Sequence, residues 1–252
     1  MKKTLIFALL TTVIAAGVFA QADNFTDAKK AIMNGKYAEG LPYFRGEFSK
    51  NPKDWQSAYY LSIAYCGLGQ YDDMMAPCEA VIKYSDNKTC VAYTYTRIGL
   101  YNEHVKQNYN KALKAYNAAV DSDPNYGYSY FLRGALYYEM AIEEMEEKNV
   151  LDSNNVRLKL SKVGNSKLKN AIKDLQQSIK IDPIYPAYIR LALIHFTTGN
   201  FEESERTIEK AFLLKGEIPD EAYCTLLDTY IIQEKYSEAA KLLVNLIENN
   251  DD

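Results

Sequence analysis

The sequence predicts an all-α fold, a solenoid of about six antiparallel helical hairpins, and three observations carry that prediction. First, a turn signature recurs five times: Gly35-Lys36-Tyr37, Gly69-Gln70-Tyr71, Gln107-Asn108-Tyr109, Gly199-Asn200-Phe201 and Glu234-Lys235-Tyr236. The first step, Tyr37 to Tyr71, is 34 residues and the last, Phe201 to Tyr236, is 35. A period of that length separating helix-like stretches is the mark of stacked hairpins. Second, a small residue stands at a matching place in helix after helix: Ala28, Ala64, Gly99, Gly134 and Ala192 in first helices, Ala112, Ala171 and Ala239 in second ones. Small residues let paired helices approach closely. Third, second helices end at Asn51-Pro52, Asp123-Pro124 and Asp182-Pro183, where proline cannot continue the helix. Gly and Pro are otherwise sparse, 12 and 7 in 252 residues, as long helices require.

The chain opens on a different pattern. Lys2 and Lys3 precede a nearly unbroken apolar run from Leu5 to Ala16, and Val18-Phe19-Ala20 fits a cleavage site after Ala20. This layout predicts a signal peptide over 1–20 and an exported mature chain, periplasmic or extracellular and cell-surface-associated. The run is short for a membrane span of about 20 residues, and no later segment is apolar enough to be one.

The repeats then follow in order. Residues 21–54 form the first hairpin, with Phe25, Ala28 and Ile32 facing Leu41, Phe44 and Phe48 across Gly35. Residues 55–88 form the second, with Ala58, Leu61 and Tyr65 before Gly69; Pro77 is expected to kink or delay its second helix. Residues 89–126 form the third, carried by Tyr95, Ile98 and Gly99, then Ala112, Tyr116 and Ala119. Its turn lies 38 residues after the preceding one, so about one helical turn has been added. Residues 127–184 form the fourth and carry an insert at 142–168 that begins acidic (Glu143, Glu144) and ends basic (Lys162, Lys167). Both helices are expected to lengthen, meet near 149–155 and project as a charged pair. Residues 185–218 and 219–249 form the fifth and sixth. No single hairpin can bury its apolar face alone, so each needs its neighbours.

The motifs resemble the tetratricopeptide repeat: Tyr130, Arg133-Gly134 and Tyr137 with Ala171 and Asp182-Pro183; Tyr109, Ala112, Tyr116 and Ala119 with Asp123-Pro124; and the Gly-x-aromatic turns. The match spans 21–249. Departures are Gly40, Met74 and Ser204 where Ala is usual, and Asp86 and Gly216 where Pro is usual. The resemblance implies a right-handed superhelix whose first helices line a concave groove for a peptide or protein partner. Groove positions then fall on Tyr59, Tyr60, Ile63, Arg97, Leu100, Phe131, Tyr138, Ile189, Arg190 and Phe196. The Lys/Asn pair with which one subgroup grips a C-terminal carboxylate is missing, since Tyr59, Ile63, Phe131 and Ala135 stand there. Aromatics and two arginines suit a partner with apolar and some acidic character.

Chemistry is sparse. His104 and His195 are isolated from any metal-ligand spacing, and there is no phosphate loop or nucleophile elbow. No cofactor, no metal and no enzymatic activity are expected. Cys66, Cys78 and Cys90, twelve apart, are too widely spaced for a redox or zinc motif; they read as packing residues or as a disulfide among them, with Cys224 left over. Net charge is −4, and loss of Lys2 and Lys3 with the leader makes it more negative, so nucleic acid is not an expected partner. The last helix carries Leu242, Leu243, Val244, Leu246 and Ile247 on more than one face, which suggests a homodimer or partner contact there. A cell-envelope spacer is the competing role.

Overall fold

The computed structural model describes residues 24–147, 166–214 and 219–249. Among them are twelve α-helices, one π-helical turn and no strand, which makes the fold all-α. The predicted leader, 1–20, and most of the 142–168 insert lie outside the described residues. The chain falls into two compact units divided inside the fourth helix, between Ala80 and Val81.

The first unit holds α1 (Phe25–Met33), α2 (Tyr37–Lys50), α3 (Trp55–Gly67) and the start of α4 (Met75–Tyr84). Asn24 caps α1 by accepting from the Asp27 amide at 3.0 Å, and Asp54 caps α3 by accepting from Gln56 and Ser57. Ala28, Ile32, Phe44, Leu61 and Ala64 form the core. Phe44 stacks on Tyr60 at 5.0 Å and meets Phe25 edge-on at 5.6 Å. Gly40 is the small residue that closes this hairpin: a Cβ there would stand 2.7 Å from the Ala28 carbonyl oxygen. Pro77 delays α4 as expected. The chain turns from Tyr71 to Met74 before the helix begins at Met75, which leaves Pro77 in the first turn, where its missing N–H costs least.

The second unit runs through α5 (Lys88–Leu100), α6 (Tyr109–Ser122), α7 (Gly127–Glu147), α8 (Ser166–Ile181), α9 (Tyr185–Thr197), α10 (Phe201–Phe212), α11 (Asp220–Ile232) and α12 (Tyr236–Asn249). The 38-residue step is explained here. α5 has 13 residues, like α3, α9 and α11, but five π-helical residues, Tyr101–Val105, extend it. The extension places Glu103 where its Oε2 accepts a 2.7 Å hydrogen bond from the hydroxyl of fully buried Tyr116. Burial, then the Glu103 carboxylate, pushes the Tyr116 phenol far up, so it stays a neutral donor.

Every small-residue position named from the sequence is buried, and so are Gly40, Met74 and Ser204, the three residues that stand where alanine is usual. Ser204, where alanine is usual, donates its hydroxyl to the Ala192 carbonyl at 2.9 Å and so satisfies itself across the α9–α10 interface. In the fourth repeat α7 continues to Glu147, and α8 runs from Ser166 to Ile181. The acidic and basic ends of the insert meet: Lys167 Nζ lies 2.5 Å from Glu144 Oε2.

Within this unit α5 packs on α6, α7 on α8 and α9 on α10, each second helix packs on the next first helix, and the first helices touch in series, α5 with α7, α7 with α9 and α9 with α11. That series is the structural basis of a continuous face.

Candidate functional site: the first-helix face of the second unit

The row α5–α7–α9–α11 presents its surface through the residues that the hairpin cores do not consume. Alternation decides which these are. On α9, Ala187, Ile189, Leu191, Ala192 and Ile194 are buried, while Tyr188, Arg190 and Leu193 keep partial exposure, and Ile189 reaches the surface only as the edge of a core shared with α10 and α11. The central feature is a shallow pocket of about 240 Å³ lined by Phe131, Tyr185, Pro186, Ile189, Arg190, Leu193 and Pro219. It draws on α7, α9 and the start of α11, and the structure thereby brings together three of the predicted groove residues, Phe131, Ile189 and Arg190. Sequence position counting did not find Tyr185, Pro186, Leu193 or Pro219; the Pro-containing helix starts at Pro186 and Pro219 were the available signal.

The other predicted residues lie elsewhere. Tyr138 is buried in the α7–α9 core. Phe196 is buried against the Phe201 ring at 5.8 Å. Leu100 is half-buried beside the α6–α7 core. In the first unit, Tyr60 and Ile63 pack against the core, and Tyr59 meets Tyr60 edge-on at 5.4 Å. An aromatic run, Tyr93, Tyr126, Tyr128 and Phe131, leads across α5 and α7 to the pocket, with neighbouring centroids 6.3, 6.2 and 5.7 Å apart.

Three arginines on these helices have three different environments. Arg97 is 6 % exposed, with its guanidinium 4.6 Å from the Tyr93 ring centroid. Arg133 is locked: Nε and Nη2 donate to the two oxygens of buried Asp174 at 2.7 and 2.9 Å, and Nη1 donates to Asn117 at 2.9 Å. Burial works against its charge, the Asp174 carboxylate outweighs that, and the pKa is raised. Arg190 is held loosely. Its Nη1 lies 3.2 Å from Glu139 Oε1, its side chain is 29 % exposed, and its guanidinium stands 5.5 Å from the Tyr138 centroid. Of the two arginines expected in the groove, Arg97 is thus interior and Arg190 borders the pocket.

His195 is half-buried in the last turn of α9, where burial pushes its pKa below the ordinary value and Glu203 opposes. His104 is exposed, 3.8 Å from Glu103. Among the described residues no three His, Cys, Asp or Glu side chains gather as a metal site. Of the four cysteines, Cys78 is buried, Cys66 and Cys90 are half-buried and Cys224 is exposed. Burial pushes the Cys90 thiol up, with Arg97 opposing, so it is not an activated nucleophile. Among the described residues no helix is long and apolar enough to cross a membrane.

Comparison with known proteins agrees with this architecture. No curated protein matches the chain by sequence. Several solved structures share its fold. The type IV pilus biogenesis factor PilW superposes with a TM-score of 0.64 at 12% identity, covering 89% of this chain and 90% of its own. MamA from Desulfovibrio magneticus RS-1 gives 0.52 at 20% identity, covering 74% and 90%. A monomeric mutant of IFIT1 with Gppp-AAAA gives 0.57 at 18% identity, covering 88% of this chain and 49% of its own. At such identities the likeness is one of fold, and one fold serves several functions. The family model of the tetratricopeptide repeat matches residues 185–217, which hold α9 and α10. The same helical hairpin recurs before and after that segment, so the fold is a solenoid of the tetratricopeptide-repeat type.

Proposed function

We propose that this protein is a non-catalytic, exported adaptor that holds a peptide or protein segment on the first-helix face of its second unit. The observation that carries this reading is the pocket bordered by Phe131, Ile189 and Arg190, an apolar floor with, among the described residues, one cation at its edge. Aromatic and arginine side chains are the groups that most often anchor protein contacts. The tetratricopeptide fold favours a protein partner, and the negative net charge argues against carrying over the oligonucleotide bound by IFIT1. No catalytic motif in the sequence calls for an enzyme, and the leader pattern over 1–20 supports export.

The experiment is capture of partners from the envelope fraction on the immobilised chain, beside Phe131→Ala. A partner held by the wild type and lost from the variant, with unchanged circular dichroism, is the expected result. Export is checked by N-terminal sequencing of the envelope form: a start at Gln21 is expected, and an intact Met1 start confined to the cytosol overturns it.

A second reading rests on its own observation. Leu243 and Val244 on α12 and Ile231 on α11 are exposed apolar residues. A self-assembling spacer would use them. Leu243→Glu with Val244→Glu would then reduce the molar mass seen by light scattering and leave Phe131-dependent capture intact.

A further inference from the structure

Resting on the reading of this face as a peptide site, we infer that Arg190 selects partners bearing an acidic side chain next to a bulky apolar one, and that Glu139 occupies the place of that acid when no partner is bound. The argument begins with the contrast between the arginines. Arg133 spends its whole fork on Asp174 and Asn117 in the interior, so it holds helices together. Arg190 makes, among the described residues, one hydrogen bond, from Nη1 to a single oxygen of Glu139. A guanidinium carries five N–H donors and matches a carboxylate best with two of them side by side. The bond is 3.2 Å long and both partners are substantially exposed, 29 % for Arg190 and 42 % for Glu139. An ion pair in that setting contributes little and exchanges readily.

The position of Arg190 gives the exchange its meaning. The residue borders the pocket, whose other described walls are Phe131, Tyr185, Ile189, Leu193 and two prolines, and among the described residues it is the charged member of that lining. A partner that inserts an aliphatic or aromatic side chain into this pocket brings its adjacent residue to the guanidinium. A carboxylate there can take the two-pronged geometry that Glu139 does not take, while Glu139 turns into water. The Tyr138 ring beneath the guanidinium keeps it positioned for either acid. Charge complementarity thus names the partner as a segment pairing an apolar anchor with Asp or Glu. Glu139 acts as a competitor that discourages partners lacking the acid, because those leave Arg190 where it was and gain nothing from it.

The test uses a random peptide display library panned on the full chain, on Phe131→Ala, on Arg190→Gln and on Glu139→Gln, followed by fluorescence polarisation with the enriched peptides. Enriched peptides are expected to place Asp or Glu beside a large apolar residue. Arg190→Gln, or Asp→Asn in the peptide, is expected to weaken binding by about tenfold, and the two changes together to cost no more than one. Arg190→Lys keeps the charge without the fork and should recover only part. Glu139→Gln is expected to tighten binding by about threefold. Peptides that depend on Phe131 yet are indifferent to Arg190 and to their own acids would overturn the acid selection and leave the pocket reading standing. Enrichment that is indifferent to Phe131 as well would overturn both.

Discussion

A single backbone position generates the repeat. The residue that opens each turn signature has a left-handed conformation: φ is +75° at Gly35, +73° at Gly69 and +81° at Gly199, and also +50° at Gln107 and +59° at Glu234. It is the C′ residue of a Schellman end. The amide after it reaches back to a carbonyl five residues earlier, Lys36 to Ala31 at 2.9 Å, Gln70 to Tyr65, Asn200 to His195 and Lys235 to Tyr230 at 2.8 Å. At the π-helical end the same amide, Asn108, reaches one residue further, to Asn102. Glycine adopts this conformation without a Cβ penalty, whereas glutamine and glutamate do so at a cost. Gln107→Gly and Glu234→Gly should therefore each raise stability by up to about 1 kcal/mol, and Gly199→Ala should lower it by about as much, in urea melts. His195 gives a prediction in pH. Burial lowers its pKa from the ordinary 6.5. The unfolded chain thus takes up a proton near pH 6.5 that the folded chain resists, and stability falls as the pH drops below that value. The fall in melting temperature between pH 7 and pH 5 should be smaller in His195→Phe than in the wild type.

Helices pair here through close approach, and the glycines show where it is needed. A Cβ on Gly99 would stand 2.2 Å from the Tyr116 ring, so α5 and α6 meet only because that atom is missing. Gly46, on exposed α2 surface, has nothing within 4 Å of such a Cβ. Gly99→Ala should cost about 1–3 kcal/mol by overpacking, and Gly46→Ala should stabilise by about 0.5–1 kcal/mol through helix propensity. A result of the same sign for both would show that packing against Tyr116 does not set the α5–α6 distance. This level was legible in the sequence because turn geometry and close approach are local demands that only a few residue types meet. The added turn of the third repeat could be counted, but its π-helical form could not, because that form depends on where Glu103 meets Tyr116 across the hairpin. The site was less legible for the same reason. Arg97 and Arg190 look alike along the chain, and the side chains around them, Tyr93 over the first and half-exposed Glu139 beside the second, separate the interior arginine from the available one. Tyr138 and Phe196, reached by the same counting, turn inward, Tyr138 into the core that α7 shares with α8 and α9 and Phe196 against Phe201 of the following second helix.

At the scale of the second unit, stability is a sum of hairpins and their interfaces, and it need not be even along the stack. The core built from Tyr138, Ala141, Leu168, Ala171, Leu175, Leu191 and Ile194 joins α7, α8 and α9, and the Arg133–Asp174 pair lies within the same hairpin. At α12, by contrast, Leu243 and Val244 face outward, and among its described side chains Ala239 is the buried one. Hydrogen exchange should accordingly be slowest in α7–α9 and faster in α11–α12. The ion pair sharpens the prediction. Removing one member leaves the other charge buried, at a cost of about 3–5 kcal/mol, whereas replacing both by apolar residues of similar volume is close to neutral. Arg133→Met should therefore accelerate exchange in α7 and α8 and, through their interfaces, in α6 and α9, while α12 keeps its wild-type rate. Arg133→Met with Asp174→Leu should restore most of the lost protection. If the single variant instead accelerated exchange equally from α5 to α12, the unit would be unfolding as one cooperative body, and the nearest-neighbour account of its stability would fail.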